Sequence, residues 1–353
     1  MGFLDLFIVA LMPTLDLLLI TAIGLFLATE RINLLGANAR PYLNNLVFYV
    51  FTPSNLFSKL ADMITLESLV TLWFMPVNVL LTFIIGSALA WILIKITRAP
   101  QHLQSLIIGS CASGNLGTLL LIILPAVCDE DNSPFGDSSV CSTDGEAYAA
   151  LSMADITSEE TPYSEICTEA LLPSRGCPTS EEYTDQVEVP STGCEGKAKI
   201  IAFTVGIVSP IRKLLIGDDA PLRAIYSSVS LIGEAAIPCM TLLIGGNLLR
   251  GLKRSEVGPL IVLGIIAIRY IISPLLGIVI VKAANHFGML GSDSLYQFTL
   301  MLQYALPPAM TVGTISQLLK TGESECSVIM LWTYVVASFS LTIWSTFFMW
   351  LVA

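Results

Sequence analysis

Runs of apolar residues long enough to cross a bilayer recur along the whole chain, and no other feature constrains its fold as much. They fall at about 6–28, 43–61, 69–94, 103–127, 200–216, 226–249, 257–281, 295–319 and 327–352. Crossing about 30 Å of hydrocarbon takes roughly 20 helical residues. Lipid offers no partner to an open backbone amide, so spanning segments must be helices or strands of a closed barrel. The alternation of barrel strands is absent, which makes the fold all-α, a polytopic transmembrane bundle. Composition agrees: of 353 residues 54% are hydrophobic and 13% charged, too little polar surface to cover a soluble core of this size. The first run is too long, and too acidic at its start, for a secretory signal, and reads as a retained span.

The net charge of −11 is unevenly placed. Residues 129–196 hold 16 of the 28 acids and a single base, Arg175. An acidic, aromatic-poor stretch of this kind reads as a solvated loop. Within it the run 147–154 is apolar but about a third of a span's length. The chain divides accordingly into an N-terminal transmembrane repeat (1–154), an acidic polar loop (155–198) and a C-terminal transmembrane repeat (199–353). Nothing in the charge distribution points to nucleic acid.

The two halves carry matching interruptions. Pro53 lies in the second run and Pro238 in the run 226–249. Cys-Ala-Ser-Gly-Asn-Leu-Gly-Thr at 111–118, with Pro125 beyond it, breaks the fourth run, and Ala-Leu-Pro-Pro-Ala-Met at 305–310 breaks the run 295–319. A break frees N–H and C=O groups that lipid cannot solvate, so it persists only where it lines a cavity or meets a ligand. Paired breaks in two halves point to an inverted repeat of five helices each, a transporter architecture with its site at the midplane.

Lys and Arg in short loops set orientation. Arg31, Arg40, Lys95 and Arg98 place their loops in the cytosol, and the N-terminus faces away from it. The loop with Arg250, Lys253 and Arg254 belongs to the same side. That requires an even number of crossings in between, so 147–154 and 200–216 either both belong to spans or neither does.

Few side chains carry chemistry. Asp16, Glu234 and Arg269 are the charges inside spans. Each costs about 2.5–3.5 kcal/mol at a helix centre on an insertion scale, so each is expected to face a cavity or a partner. Glu234 and Arg269 are natural candidates to pair, either in ion coupling or as a structural ion pair. Asn115, between Gly114 and Gly117 with Thr118 beside it, can offer amide donors to a carboxylate without a buried charge, and freed N–H groups at a half-helix start favour anions likewise. Gln303 and Tyr304 precede Pro307 and Pro308 in a similar setting. Cys128 and Cys141 flank a loop on the non-cytosolic side, where a disulfide can form. No Cys/His or carboxylate cluster has metal-ligand spacing and no hydrolase motif is present, so no cofactor, metal or enzymatic activity is expected.

With these residues in view the chain resembles the PIN-LIKES family of plant proteins, within the auxin efflux carrier superfamily. The matching stretches are 51–61 (FTPSNLFSKLA), 113–128 (SGNLGTLLLIILPAVC), 210–223 (PIRKLLIGDDAPLR), 235–252 (AAIPCMTLLIGGNLLRGL) and 302–310 (LQYALPPAM). The resemblance implies ten spans in two inverted five-helix repeats, whose fourth and ninth helices break and cross at Pro125 and at Pro307 or Pro308. It implies a small organic anion similar to indole-3-acetic acid bound near Asn115, with Gly114, Thr118 and Gln303 around it. It also implies a multi-pass protein of the endoplasmic reticulum membrane with a lumenal N-terminus, which lowers the auxin available to nuclear signalling and is compatible with a homo- or hetero-dimer. Glu234, Arg269 and Pro274 resemble an acidic position and an R-x-x-x-x-P pattern of the superfamily. One departure stands out: acidic, Ser/Thr/Pro-rich sequence begins at Asp155, where the fifth span should continue, so that span is expected to be missing or clipped. A non-transporting auxin sensor, or an isoform acting on a full-length relative, is the alternative reading.

Overall fold

In the computed structural model, the structure describes residues 15, 18–36, 38–63, 72–129, 133–152, 201, 204–205, 208–217, 220–254, 257–291, 293–318 and 322–352. Asp16, the acidic stretch 155–196 and the domain boundaries at 154 and 198 lie outside them. Among the described residues the regular structure is helical apart from one isolated β-bridge. Helix α1 is Leu18–Leu27. Helices α2 (Ala39–Leu46) and α3 (Thr52–Met63) run on through a π-helical turn at Val47–Phe51. Next come α4 (Phe74–Thr97), α5 (Gln101–Ala112), α6 (Thr118–Cys128), α7 (138–152) and α8 (Ser209–Leu215). The remainder is α9 (Arg223–Glu234), α10 (Ala236–Arg254), α11 (Pro259–Ala267), α12 (Ser273–His286), α13 (Ser294–Leu302), α14 (Thr311–Leu318) and α15 (Glu323–Val352), with a second π-helical turn at Ile268–Ile272.

Among the described residues four helical stretches are long and apolar enough to cross a membrane: Phe74–Thr97, Arg223–Asn247, Pro259–His286 and Ser324–Val352. Their outer faces carry large apolar side chains in the open, among them Trp91, Ile96, Leu263, Val279, Ile343 and Trp350. Water would penalise such a surface at about 25 cal/mol per Å² of apolar area, whereas acyl chains do not. The inner faces hold both the apolar core and an unusual share of polar side chains. Asn78, Ser110, Thr333 and Ser345 are wholly buried.

Helix α7 corrects the reading of 129–196 as a solvated loop from end to end. Its charges, Asp144 and Glu146, hide a buried face formed by Cys141, Gly145, Tyr148, Ala149 and Ser152, which recurs at helical spacing. Asp137 starts it: its carboxylate accepts from the Ser139 amide (3.0 Å), the Ser139 hydroxyl (2.6 Å) and the Val140 amide (3.4 Å), an N-cap arrangement. Those donors, the hydroxyl first, hold the Asp137 carboxyl below the usual carboxylate range. A disulfide joins Cys128 at the end of α6 to Cys141, with Cα atoms 5.6 Å apart.

Two close approaches fix the packing of the central helices. A Cβ on Gly86 of α4 would lie 2.5 Å from the Cys111 carbonyl oxygen and 2.7 Å from the Cα of Ala112, so only glycine lets α4 touch the end of α5. Gly245 of α10 meets the Thr21 carbonyl of α1 in the same way, at 2.0 Å.

Candidate functional site

Among the described residues the chain leaves the helical path at two places in the interior. Helix α5 ends at Ala112 and α6 starts at Thr118; α13 ends at Leu302 and α14 starts at Thr311. The two interruptions cross and pair as an antiparallel β-bridge between Gly114 and Pro308. The Asn115 amide donates to the Pro307 carbonyl at 2.8 Å, and the Ala309 amide to the Ser113 carbonyl at 3.0 Å. In this register neither position 307 nor position 308 has to supply an N–H. Proline at both therefore removes two donors that would otherwise need partners in a dry interior. Both carbonyls accept a hydrogen bond, Pro307 O from the Asn115 amide and Pro308 O from the Tyr334 hydroxyl at 3.0 Å.

Asn115 is buried, and its Nδ2 donates to Tyr334 Oη at 2.9 Å. Its other amide hydrogen and its Oδ1 make no hydrogen bond among the described residues. Tyr334 connects the crossing to open space. A narrow, partly open cleft with room for about one water molecule is lined by Leu18, Thr21, Thr241, Ile244, Met310, Met330, Leu331 and Tyr334. An adjoining cleft, equally narrow, shares Ile244, Met310 and Met330 and adds Asn44, Asn247 and Ser327. Arg40 Nη1 donates to Asn247 Oδ1 at 2.9 Å and to the Gly246 carbonyl at 3.1 Å, which brings a cation to this second wall. Both clefts are lined in part by methionines, flexible side chains that can repack.

Behind the crossing, the last carbonyls of each interrupted helix are held from an intact neighbour. Arg269, in the π-helical turn between α11 and α12, is 2% exposed. Its Nε donates to the Ser110 carbonyl at 3.0 Å, and its Nη2 closely to the Ser113 carbonyl. On the other side, Asn78 of α4 donates through Nδ2 to the Leu300 carbonyl (3.1 Å) and to Gln303 Oε1 (2.7 Å). Gln303 Nε2 donates to Ser152 Oγ and Met75 Sδ, each at 2.8 Å, and the Tyr304 hydroxyl to Asn78 Oδ1 at 3.2 Å. This second network ties α7 to the crossing. Tyr148 of α7 adds a close hydrogen bond to Asp293, whose carboxylate caps α13 through the Leu295 amide at 2.9 Å.

Three expectations change against this geometry. Pro125 lies inside α6 and not at the crossing; the break falls on Ser113–Gly117, because a Gly-Asn-x-Gly stretch can leave the helix and pair across, whereas an isolated proline only omits one helical bond. Glu234 is exposed at the end of α9, and Arg269 takes backbone carbonyls in its place, so the two do not form an ion pair. Gln303 commits its amide to Asn78, Ser152 and Met75, none of which lines the cleft. Gly114, Asn115, Pro307 and Pro308 are brought together at the bridge. Thr118 opens α6, and its side chain lies outside the described residues. Sequence reading missed Asn78, Ser152 and Tyr334, polar groups in apolar stretches whose bonds to Gln303, Gln303 and Asn115 respectively join residues far apart along the chain.

The architecture, an all-helical chain with several long apolar helices and two interrupted ones crossing at the centre, is that of a membrane transport protein. A family described as "Membrane transport protein" matches it in two halves, residues 9–157 and 197–345. Among proteins of Arabidopsis thaliana, the chain is 47% identical to Protein PIN-LIKES 3 over 99% of both chains. It is also 47% identical to Protein PIN-LIKES 1 over all of this chain and 81% of that one, and 44% identical to Protein PIN-LIKES 4 over the whole of both. The chain belongs to this membrane transport family, and within it to the PIN-LIKES proteins. The alignment with PIN-LIKES 3 covers 386 positions against 353 residues here, so that relative contains residues this chain lacks.

Proposed function

We propose that the chain is a carrier for a small organic carboxylate similar to indole-3-acetic acid, held at the crossing of the interrupted helices, and that it acts at the endoplasmic reticulum membrane to control how much auxin reaches nuclear signalling. The observation that carries this is the bridge at Gly114 and Pro308, with Asn115 bonded to a cleft-lining Tyr334. The starts of α6 and α14 both abut the bridge, and helix N-termini attract anions. Asn115 keeps an amide hydrogen for one carboxylate oxygen, and the flexible methionines of the narrow cleft can move aside for an apolar ring. The ten-span inverted repeat and the lumenal N-terminus belong to the same proposal and rest on the resemblance to auxin carriers.

The test is flux of radiolabelled indole-3-acetic acid into proteoliposomes. Asn115→Ala should lower it by about tenfold or more, the effect of losing one well-placed hydrogen bond to a charged group. Pro307→Ala should lower it too, since the new amide has no acceptor in this register. Flux unchanged in both variants overturns the reading. One observation favours a second reading, a form that binds without transporting: PIN-LIKES 3 contains residues that this chain lacks. Restoring a full apolar span after Ala154 should then raise uptake into microsomes, and equal uptake with and without it removes that alternative.

A further inference from the structure

The described parts of the crossing hold one cation and no ion-paired anion. Four helix ends meet there, the carboxyl ends of α5 and α13 and the amino ends of α6 and α14. Each carries roughly half a charge, negative at a carboxyl end and positive at an amino end, so over the whole crossing the four nearly cancel, and an amino end draws an anion only locally through its own N–H groups. What is left is the guanidinium of Arg269. The carbonyls of Ser110 and Ser113 that it holds are neutral dipoles, so the full positive charge stays in the interior. The corresponding task at α13 is performed by an uncharged group, Asn78 Nδ2 on the Leu300 carbonyl. An amide is therefore enough to hold the end of an interrupted helix. A buried cation in a membrane protein is expensive and marks function when holding alone does not require it.

The guanidinium also faces the bridge. A Cβ built on Gly114 would lie 3.5 Å from Nη1 and 3.6 Å from Nη2 of Arg269. At the residue preceding Asn115, then, no side chain stands between the charge and the crossing. We propose that Arg269 is the residue that sets charge selectivity at this site, making the crossing prefer a monoanion over a neutral molecule of the same shape. It acts as a positioning residue through the field it sets up and through the carbonyls it holds, and need not touch the ligand. The inference rests on the carrier reading for where the ligand sits, and goes beyond it in assigning the selectivity to one side chain.

The experiment uses the full chain in proteoliposomes, with indole-3-acetate and its neutral counterpart indole-3-acetamide compared by flux and by equilibrium binding. The wild type should favour the acid by about tenfold or more, a ratio that a single charge at intermediate dielectric can supply. Arg269→Gln should bring the ratio close to one chiefly by weakening the acid, and Arg269→Lys should keep most of it. A second pair holds Arg269 in place: Gly114→Asp puts a carboxylate against the guanidinium, and Gly114→Asn has the same shape without the charge. Whatever their absolute flux, the Asn variant should retain the preference and the Asp variant lose it. This pair decides the matter if Arg269→Gln does not fold. Equal weakening of acid and amide in Arg269→Gln, or equal ratios in the two Gly114 variants, overturns the proposal. Binding that keeps the preference while no flux occurs overturns the carrier reading alone.

Discussion

Tyr334 is where a single hydroxyl does most. It accepts from Asn115 Nδ2 and donates to the Pro308 carbonyl, so it serves both interrupted helices from α15. Tyr334→Phe should leave a buried donor and a buried acceptor without partners, at about 1–3 kcal/mol each. Thermal unfolding in detergent should fall by several degrees, and an unchanged melting point would show that the hydroxyl is dispensable. At this scale the sequence was half legible. Asn115 and the Pro307–Pro308 doublet stand out because each breaks a membrane run in a way lipid does not tolerate. Tyr334 lies in an uninterrupted apolar run and reads as core, and Asn78 looks like an isolated amide. Their partners are 219 and 225 residues away, a separation across which periodicity carries no signal.

Among elements, the seam between α4 and α5 is an exacting one. With a Cβ on Gly86 only 2.5 Å from the Cys111 carbonyl, Gly86→Ala must push the end of α5 away and disturb the carbonyls that Arg269 holds. A loss of about 1–3 kcal/mol is expected, together with weaker ligand binding. Gly114→Ala makes a useful contrast, because its new methyl meets nothing closer than 3.5 Å and should leave the melting temperature nearly unchanged. If Gly86→Ala melts like the wild type, the seam has more room than these distances allow. Element boundaries were read well where apolar runs are long, as for α4 and α15. They were misread at α7, where charge density masked a buried face and a capping aspartate.

For the whole molecule, the bond between Cys128 and Cys141 closes a short loop, with a sequence separation of 13. A loop of about this size contributes about 3 kcal/mol in the chain-entropy account. Reducing agent, or Cys128→Ser, should lower the apparent melting temperature, while Cys111 and Cys326, both buried, should stay unreactive toward maleimide in the folded protein. A melting curve indifferent to reductant would count against the bond's contribution. The division into two halves was legible because each half has its own interruption. The way the halves interlock was not, since it depends on residues 113–115 meeting residues 307–309.

That meeting has a kinematic consequence. A ladder of ordinary residues could slide by one position and form new bonds, as loosely specified strands do. Here a shift that brought Ser113 against residue 308 or 307 would ask a proline for an N–H that it lacks, and would leave the Ser113 carbonyl without its partner in a medium without water. The doublet therefore works as a one-way stop: it bars slippage in that direction. Whatever excursion the chain makes between the two faces of the membrane, the crossed segments must travel together, and the give has to come from the methionine-lined cleft beside them.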